Sequence, residues 1–80
     1  MEAGVKVLLY GRLSDAIGRA IDVGAVDTVA EVRRRLATDY PAVSAALRRS
    51  RSFVRDQLVA DDFVPQADDV IEFLPPVSGG

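Results

Sequence analysis

The residues best suited to chemistry in this sequence lie at its end, in the segment Pro75-Pro76-Val77-Ser78-Gly79-Gly80. Six extended residues reach about 20 Å, far enough to enter the active site of another protein. The prolines stiffen the base of the segment, and the glycines can pass through a slot that excludes side chains. Such a tail presents a carboxylate, which becomes reactive once it is adenylated. The sequence contains no G-x-x-x-x-G-K phosphate loop, so an ATP-using partner must supply the activation.

The residue types that are missing exclude other reaction classes. The 80 residues include no Cys and no His, which excludes a thiolate nucleophile, an imidazole base and a zinc cluster. The remaining metal candidates are two adjacent acidic pairs that lack the spacing and central Gly of a calcium loop. These pairs are Asp61-Asp62 and Asp68-Asp69. They are predicted to be turn residues, so we expect this chain to bind no metal and no cofactor.

Composition and charge indicate one small, soluble domain. Hydrophobic residues make up 49% of the chain and charged residues 28%, which is ordinary for a globular protein. The net charge of −2 argues against a nucleic-acid binder. The apolar run at 5–10 is too short for a transmembrane helix or a signal peptide, so no membrane association and a cytoplasmic location are expected.

The charges are distributed unevenly along the chain. The basic group is Arg33, Arg34, Arg35, Arg48, Arg49, Arg51 and Arg55, and the acidic group after it is Asp56, Asp61, Asp62, Asp68, Asp69 and Glu72. Such runs are typical of solvated faces, with docking surfaces for charged partners as the alternative.

The hydrophobic pattern at the start of the chain predicts two neighbouring strands. Residues 5–10 are largely apolar on both faces, which is typical of a central strand that is covered on both sides. Residues 13–17 form a helical turn, and residues 19–23 form the second strand of a hairpin-like pair.

A capping box predicts the start of the main helix. The Thr28 hydroxyl can accept a hydrogen bond from the Glu31 amide, and the Glu31 carboxylate can reach back to the Thr28 amide. An apolar stripe follows at helical spacing, with Arg33 among the charged residues away from its centre. The stripe consists of Val29, Val32, Leu36 and Tyr40. Pro41 is expected to end this helix.

The second half of the chain contains a weaker helical pattern at 41–49 and extended segments at 52–55 and 57–60. Residues 70–74 are apolar apart from Glu72 and form the last strand, which the following prolines end.

The order of these elements predicts an α+β, ubiquitin-like β-grasp fold. The first and last strands are the most apolar, so they should pair in the middle of a mixed sheet, with the main helix on one face. We expect the domain to span 1–74 and a flexible tail to span 75–80. The other face cannot be covered by so short a chain. Tyr10, Leu58 and Leu74 are therefore candidates for a partner-binding patch there, or else for a minor core.

Three stretches of the chain resemble the small, sulfur-carrying subunit of molybdopterin synthase, a member of the ubiquitin-like sulfur-carrier superfamily. They are Val5-Lys6-Val7-Leu8-Leu9-Tyr10-Gly11-Arg12, Thr28-Val29-Ala30-Glu31-Val32 and Leu74-Pro75-Pro76-Val77-Ser78-Gly79-Gly80. The last is the most specific. Related carriers for thiamine or cysteine synthesis also end in Gly-Gly, but the full ending is most similar to the molybdopterin branch.

The resemblance implies a cycle in which a ubiquitin-activating-type adenylyltransferase uses ATP to adenylate Gly80. Sulfur from a persulfide enzyme would then convert this end to a thiocarboxylate. Inside the large subunit of molybdopterin synthase, the tail would donate that sulfur to form the molybdopterin dithiolene. This chain would then be a non-catalytic, sulfur-donating subunit. By the same resemblance, Gly79 and Gly80 form the reacting end, and contacts with partners fall on Tyr10, Leu58, Leu74, Pro75, Pro76, Val77 and Ser78.

Two turns depart from the family pattern. Relatives often have Val-Asn where this chain has Val54-Arg55, and they often have Asp-Gly-Asp where it has Ala67-Asp68-Asp69. The replacement of Asn and Gly suggests a different turn conformation at both places.

Other functions stay open at this level. The chain could be a sulfur carrier for thiamine, cysteine or tRNA thiolation, or a protein modifier that is joined through Gly80 to lysines of targets. Lys6 is its only lysine, which disfavours self-linked chains but not single attachment. A β-grasp interaction domain with an inert tail is the remaining alternative.

Overall fold

The computed structural model describes residues 4–76, which form a five-stranded sheet with helices packed on one face. The strands are β1 (Val5–Leu9), β2 (Ala20–Gly24), β3 (Arg51–Val54), β4 (Gln57–Val59) and β5 (Val70–Leu74). The helices are α1 (Arg12–Ile17), α2 (Val29–Asp39) and α3 (Ser44–Arg49), with a 3-10 turn at Pro41–Val43. Within this part of the chain, no helix has the length and apolar character needed to cross a membrane.

The sheet order is β2-β1-β5-β3-β4. Strands β1 and β5 pair in parallel, and the other three pairings are antiparallel. The predicted mixed sheet, with the first and last strands paired at its centre, is therefore confirmed. The two most apolar segments occupy the positions where a strand has a neighbour on each side.

One face of the sheet packs on the helices and forms the core. Successive side chains of a strand point to opposite faces, and the buried ones alternate with exposed or half-buried ones along β1 and β5. The buried core residues are Val5, Val7, Leu9, Leu13, Val29, Val32, Leu36, Leu47, Val54, Ile71 and Phe73. The expectation that β1 is covered on both sides is wrong within residues 4–76, because Lys6 is exposed and Leu8 is half-buried on the opposite face.

One of the two hydrogen bonds predicted for the capping box at the start of α2 is present. The Glu31 amide donates to the Thr28 hydroxyl at 3.2 Å. The Glu31 carboxylate does not reach the Thr28 amide as predicted, because it accepts instead from the amide of Asp27 at 2.7 Å. The helix ends at Asp39, just before Pro41, as expected.

Two charged side chains are not on solvated faces. Arg33 was expected away from the apolar stripe, but its side chain is only 12% exposed and hydrogen-bonds to α3, β3 and the turn after β4. Asp69 was expected to be an ordinary turn residue, but it is buried and accepts from the Gln66 amide at 2.8 Å and from Arg55. Both are structural residues because each satisfies several polar groups that the fold brings together.

The two turns that depart from the family pattern adopt left-handed backbone conformations. Arg55 and Asp56, between β3 and β4, have φ of 51° and 65°, and Asp68 has φ of 73°. Two successive positive φ values are the requirement of a type I′ hairpin turn, which Asn-Gly meets most easily. Arg55, Asp56 and Asp68 are therefore strained, because L side chains rarely adopt positive φ. That these turns differ from those of relatives stays a prediction.

We expect D56G to raise the free energy of unfolding by about 0.5–1 kcal/mol, because glycine adopts this conformation without steric cost. The matched control is D62G, which removes the same charge from a turn residue outside the positive-φ set. The control should lower stability by about 0.5–1 kcal/mol, because it adds chain entropy and relieves no strain. Urea unfolding followed by circular dichroism measures both. Equal shifts in the same direction would contradict the strain argument.

Candidate functional site

The face of the sheet away from the helices carries an apolar surface that this chain leaves uncovered. We call it the outer face and define it by Leu8, Tyr10, Phe53, Leu58, Val70, Glu72 and Leu74. Leu58 is 62% exposed, and Tyr10 and Leu74 are 41% and 40% exposed. These three side chains therefore do not close a minor core. Large apolar groups gathered on one exposed surface are typical of an interaction site.

The strand register brings the outer face together from four strands. Leu8 and Phe53 are the Cα partners of Glu72 on either side of β5. Leu58 on β4 is in turn the partner of Phe53. Side chains that are directly opposite in neighbouring strands lie close enough to touch. The row from Leu8 to Leu58 is therefore continuous across the sheet, with Glu72 as its polar member.

Tyr10 is tied to this row by a hydrogen bond. Its hydroxyl donates to the Glu72 carboxylate at 2.7 Å. The hydrogen bond to Glu72, together with smaller effects of desolvation and of the negative charge, raises the pKa of Tyr10 above its ordinary value. Tyr10 is thus held on the outer face next to the end of β5.

The root of the tail lies at the same end of the sheet. Strand β5 ends at Leu74, and Leu9 pairs with Phe73, which places Tyr10 beside Leu74. Pro75 then packs near Gly11: a Cβ added to Gly11, whose φ is +60°, would lie 3.1 Å from the Pro75 ring. A side chain at position 11 would press on the first residue of the tail.

The structure describes five of the predicted site residues and leaves the other four outside the described range. The structure brings Tyr10, Leu74 and Pro75 together and places Leu58 further along the same face. Pro75 is half-buried, and Pro76 is exposed. The predicted contacts at Val77 and Ser78 and the reacting end at Gly79 and Gly80 lie outside the described residues.

The sequence reasoning missed four parts of this face, which are Leu8, Phe53, Val70 and Glu72. The alternation along each strand was the available signal, since Phe53 lies between Ser52 and Val54 and both are buried. Within residues 4–76, no group of three or more Asp or Glu side chains is placed to hold a metal ion. The described residues thus form an exposed, largely apolar face that ends beside Pro75 and Pro76.

Comparisons with known proteins agree with this geometry. The ThiS family matches residues 7–80. The fold is similar to small archaeal modifier protein 1 from Methanosarcina acetivorans, with 23% identity, a TM-score of 0.80 and coverage of 100% of this chain and 99% of that one. No curated protein sequence gave a significant match.

Two further similar structures have names that refer to molybdopterin. One is a putative molybdopterin converting factor, subunit 1, from Pyrococcus furiosus, with 16% identity, a TM-score of 0.79 and coverage of 95% and 100% of the two chains. The other is from a complex of subunits 1 and 2 of molybdopterin-converting factor from Helicobacter pylori, with 22% identity, a TM-score of 0.67 and coverage of 95% and 97%. At these identities the likeness shows the fold. With the family match over residues 7–80, the chain belongs to the ThiS family and has the β-grasp fold of the ubiquitin-like sulfur carriers.

Proposed function

We propose that this protein is the sulfur carrier of molybdenum cofactor biosynthesis, with Gly80 as the residue that is adenylated and then carries sulfur. The main supporting observation is the continuity between the outer face and the Pro75-Pro76-Val77-Ser78-Gly79-Gly80 ending, which begins directly after Leu74. A partner that binds the outer face would receive the tail at the edge of its own contact surface.

The composition of the chain supports an assignment of the chemical steps to its partners. With no Cys and no His, it has no thiol or imidazole that could attack its own activated end. Its part is to bind and to deliver, while adenylation, sulfur supply and the reaction with the pterin precursor belong to its partners. We propose three such partners: the adenylyltransferase, the persulfide enzyme and the large synthase subunit. ATP would be used by the first of them.

The binding step would use the outer face. Leu58, Leu74 and the Tyr10 ring expose apolar surface that a partner can remove from water, which is the main favourable contribution to association. The likeness to a subunit from a complex of molybdopterin-converting factor subunits 1 and 2 supports the large subunit as the partner in this proposal.

The proposal predicts a chemical mark on Gly80. Protein produced together with the adenylyltransferase and persulfide enzyme of its own source should gain the mass of sulfur in place of one oxygen, because sulfur replaces the adenylate. Peptide fragmentation should assign this mass to Gly80. Protein produced without the adenylyltransferase is the control and should keep the unmodified mass. A carrier that stays unmodified in the presence of all components contradicts the proposal.

A second candidate function is a protein modifier, which the similarity to small archaeal modifier protein 1 supports. Here Gly80 would form an isopeptide bond with lysines of target proteins. Immunoblots of source cells separate the two candidates. A ladder of conjugates favours the modifier, and free protein bound to the large synthase subunit favours the carrier.

A further inference from the structure

One carboxylate lies at the centre of the outer face, while the charged residues Lys6, Asp22 and Arg51 lie around it on the same side of the sheet. Glu72 is half-buried, between its Cα partners Leu8 and Phe53. The cations nearest in register are Lys6, Arg51 and Arg55. Lys6 and Arg51 have Val70 and Leu74 as Cα partners rather than Glu72, and Arg55 pairs with Asp69. None of the three forms an ion pair with Glu72 among the described residues. Among residues 4–76, Glu72 thus has no ion-pair partner on the surface that a partner protein would cover.

Tyr10 holds this carboxylate in place. The Tyr10 hydroxyl donates to Oε2 of Glu72 at 2.7 Å. Among residues 4–76, no side chain or backbone amide donates to the other carboxylate oxygen, Oε1. The outer face therefore presents a positioned acceptor with one oxygen free for a donor from outside.

A docking partner changes the environment of Glu72. Covering the apolar row removes water from the carboxylate, and a buried carboxylate without a counter-charge is strongly unfavourable. A partner surface that is apolar throughout would leave that charge unpaired. A partner that places an ammonium or guanidinium group opposite Oε1 would pair it and would also gain the apolar contact.

We propose that Glu72, positioned by Tyr10, determines partner specificity: the outer face selects an apolar surface that carries one arginine or lysine opposite Glu72. The partner in this inference is the large synthase subunit, so the inference rests on the proposed function. Uniformly apolar surfaces are rejected because they supply no positive charge opposite Glu72.

The first test measures the affinity of the large synthase subunit from the same source by titration calorimetry. E72Q keeps the shape of the side chain and removes its charge, and we expect binding roughly 30-fold weaker or worse, as for other buried charge pairs that lose one partner. E72L should be weakened as well, although it makes the face more apolar. D62N is the control, because it removes one negative charge from an exposed turn outside the outer face. It should bind within about twofold of wild type, as expected for a distant surface charge. Binding of E72L as tight as wild type, or tighter, would overturn the inference.

The second test does not depend on any biological partner. Amide NMR spectra of the whole protein are recorded during titration with hexylguanidinium and, separately, with 1-hexanol. We expect hexylguanidinium to shift signals of Leu8, Phe53 and Leu58 at concentrations at least about tenfold lower than hexanol does, and we expect E72Q to lose this preference. Equal titration curves for the two probes with wild type would overturn the inference.

The two tests separate the two proposals. If wild type does not bind the large subunit but prefers hexylguanidinium through Glu72, the proposed function fails and the specificity of the outer face stands. If wild type binds the large subunit and neither test depends on Glu72, the specificity inference fails and the proposed function stands.

Discussion

Removal of Gly80 alone should abolish sulfur transfer. The truncated tail would end on Gly79, one residue and about 3.5 Å short of its proper reach. Misplacement of a reacting group by 1 Å can cost about 100-fold in rate, so we expect at least that loss in molybdopterin formation with the large subunit. The assay measures molybdopterin formed by thiocarboxylated wild type and by truncated protein that has been taken through the same activation.

The truncated protein should otherwise behave as wild type. Strand β5 ends at Leu74, so the residue removed is the sixth beyond the sheet, and the thermal unfolding midpoint should not change. Binding to the large subunit should persist, because the outer face is intact, and the truncated protein should compete with wild type. D62N, taken through the same steps, controls for handling. Molybdopterin formation by the truncated protein at the wild-type rate would refute the role of Gly80.

R33M should cause the largest loss of stability of any single substitution outside the apolar core. The Arg33 guanidinium donates to the Ser50 carbonyl at 3.0 Å, to the Ser50 hydroxyl at 2.7 Å, to the Ser52 hydroxyl at 3.3 Å and to the carbonyl of Leu47. It also pairs with Asp61 at 3.0 Å. The Leu47 carbonyl keeps the Ser50 amide and hydroxyl as donors, and both serine hydroxyls keep a hydrogen bond as donors. The Ser50 carbonyl loses its side-chain donor, and leaving a buried acceptor unsatisfied costs about 1–3 kcal/mol.

We expect R33M to lower the free energy of unfolding by about 2–4 kcal/mol. A domain of this length has a total stability of about 4–12 kcal/mol, so the loss is a large part of it. R33K should fall between R33M and wild type, because an ammonium group cannot donate to acceptors in as many directions as the guanidinium does.

R34M is the matched control for this prediction, since Arg34 is the next residue on α2 and its side chain is exposed. A surface substitution of this kind should change stability by less than about 0.5 kcal/mol. Urea unfolding followed by circular dichroism compares the two variants. A loss in R33M no greater than that in R34M would show that the Arg33 hydrogen bonds contribute nothing to stability.

Local sequence patterns were sufficient to predict the main helix and the pairing of the first and last strands. The apolar composition of β1 and β5 predicted their central place in the sheet correctly, although the covering of both faces that it also suggested for β1 is absent among residues 4–76. The hydroxyl of Thr28 and the pyrrolidine ring of Pro41 affect the backbone only within a few residues. They therefore predicted the two ends of α2 correctly. The Gly-Gly ending is a contiguous motif and can be recognised from the sequence, and its chemistry stays a prediction.

Contacts between residues that are far apart in the sequence could not be predicted from local patterns. Arg33 and Asp61 are 28 positions apart, and the helical period placed Arg33 away from the core because it counts only angle around an axis. A long side chain can bury its charged end wherever the fold brings enough acceptors together. Helical periodicity does not predict such places. Asp69 is a second case: it is buried because Arg55 from another turn meets it.

For the outer face too, the sequence predicted some properties and the tertiary structure decided others. Composition and chain length were enough to predict that one face stays uncovered and that a Gly-Gly tail follows its last strand, since both follow from counting apolar segments and reading a motif. The hydrogen bond between Tyr10 and Glu72, 62 positions apart, exists only because β1 and β5 pair in parallel with one particular register. A shift of one residue would turn every side chain of a strand to the other face. The presence of an uncovered surface was therefore a property of the sequence, whereas the place of its one charge was decided by the register of the folded sheet.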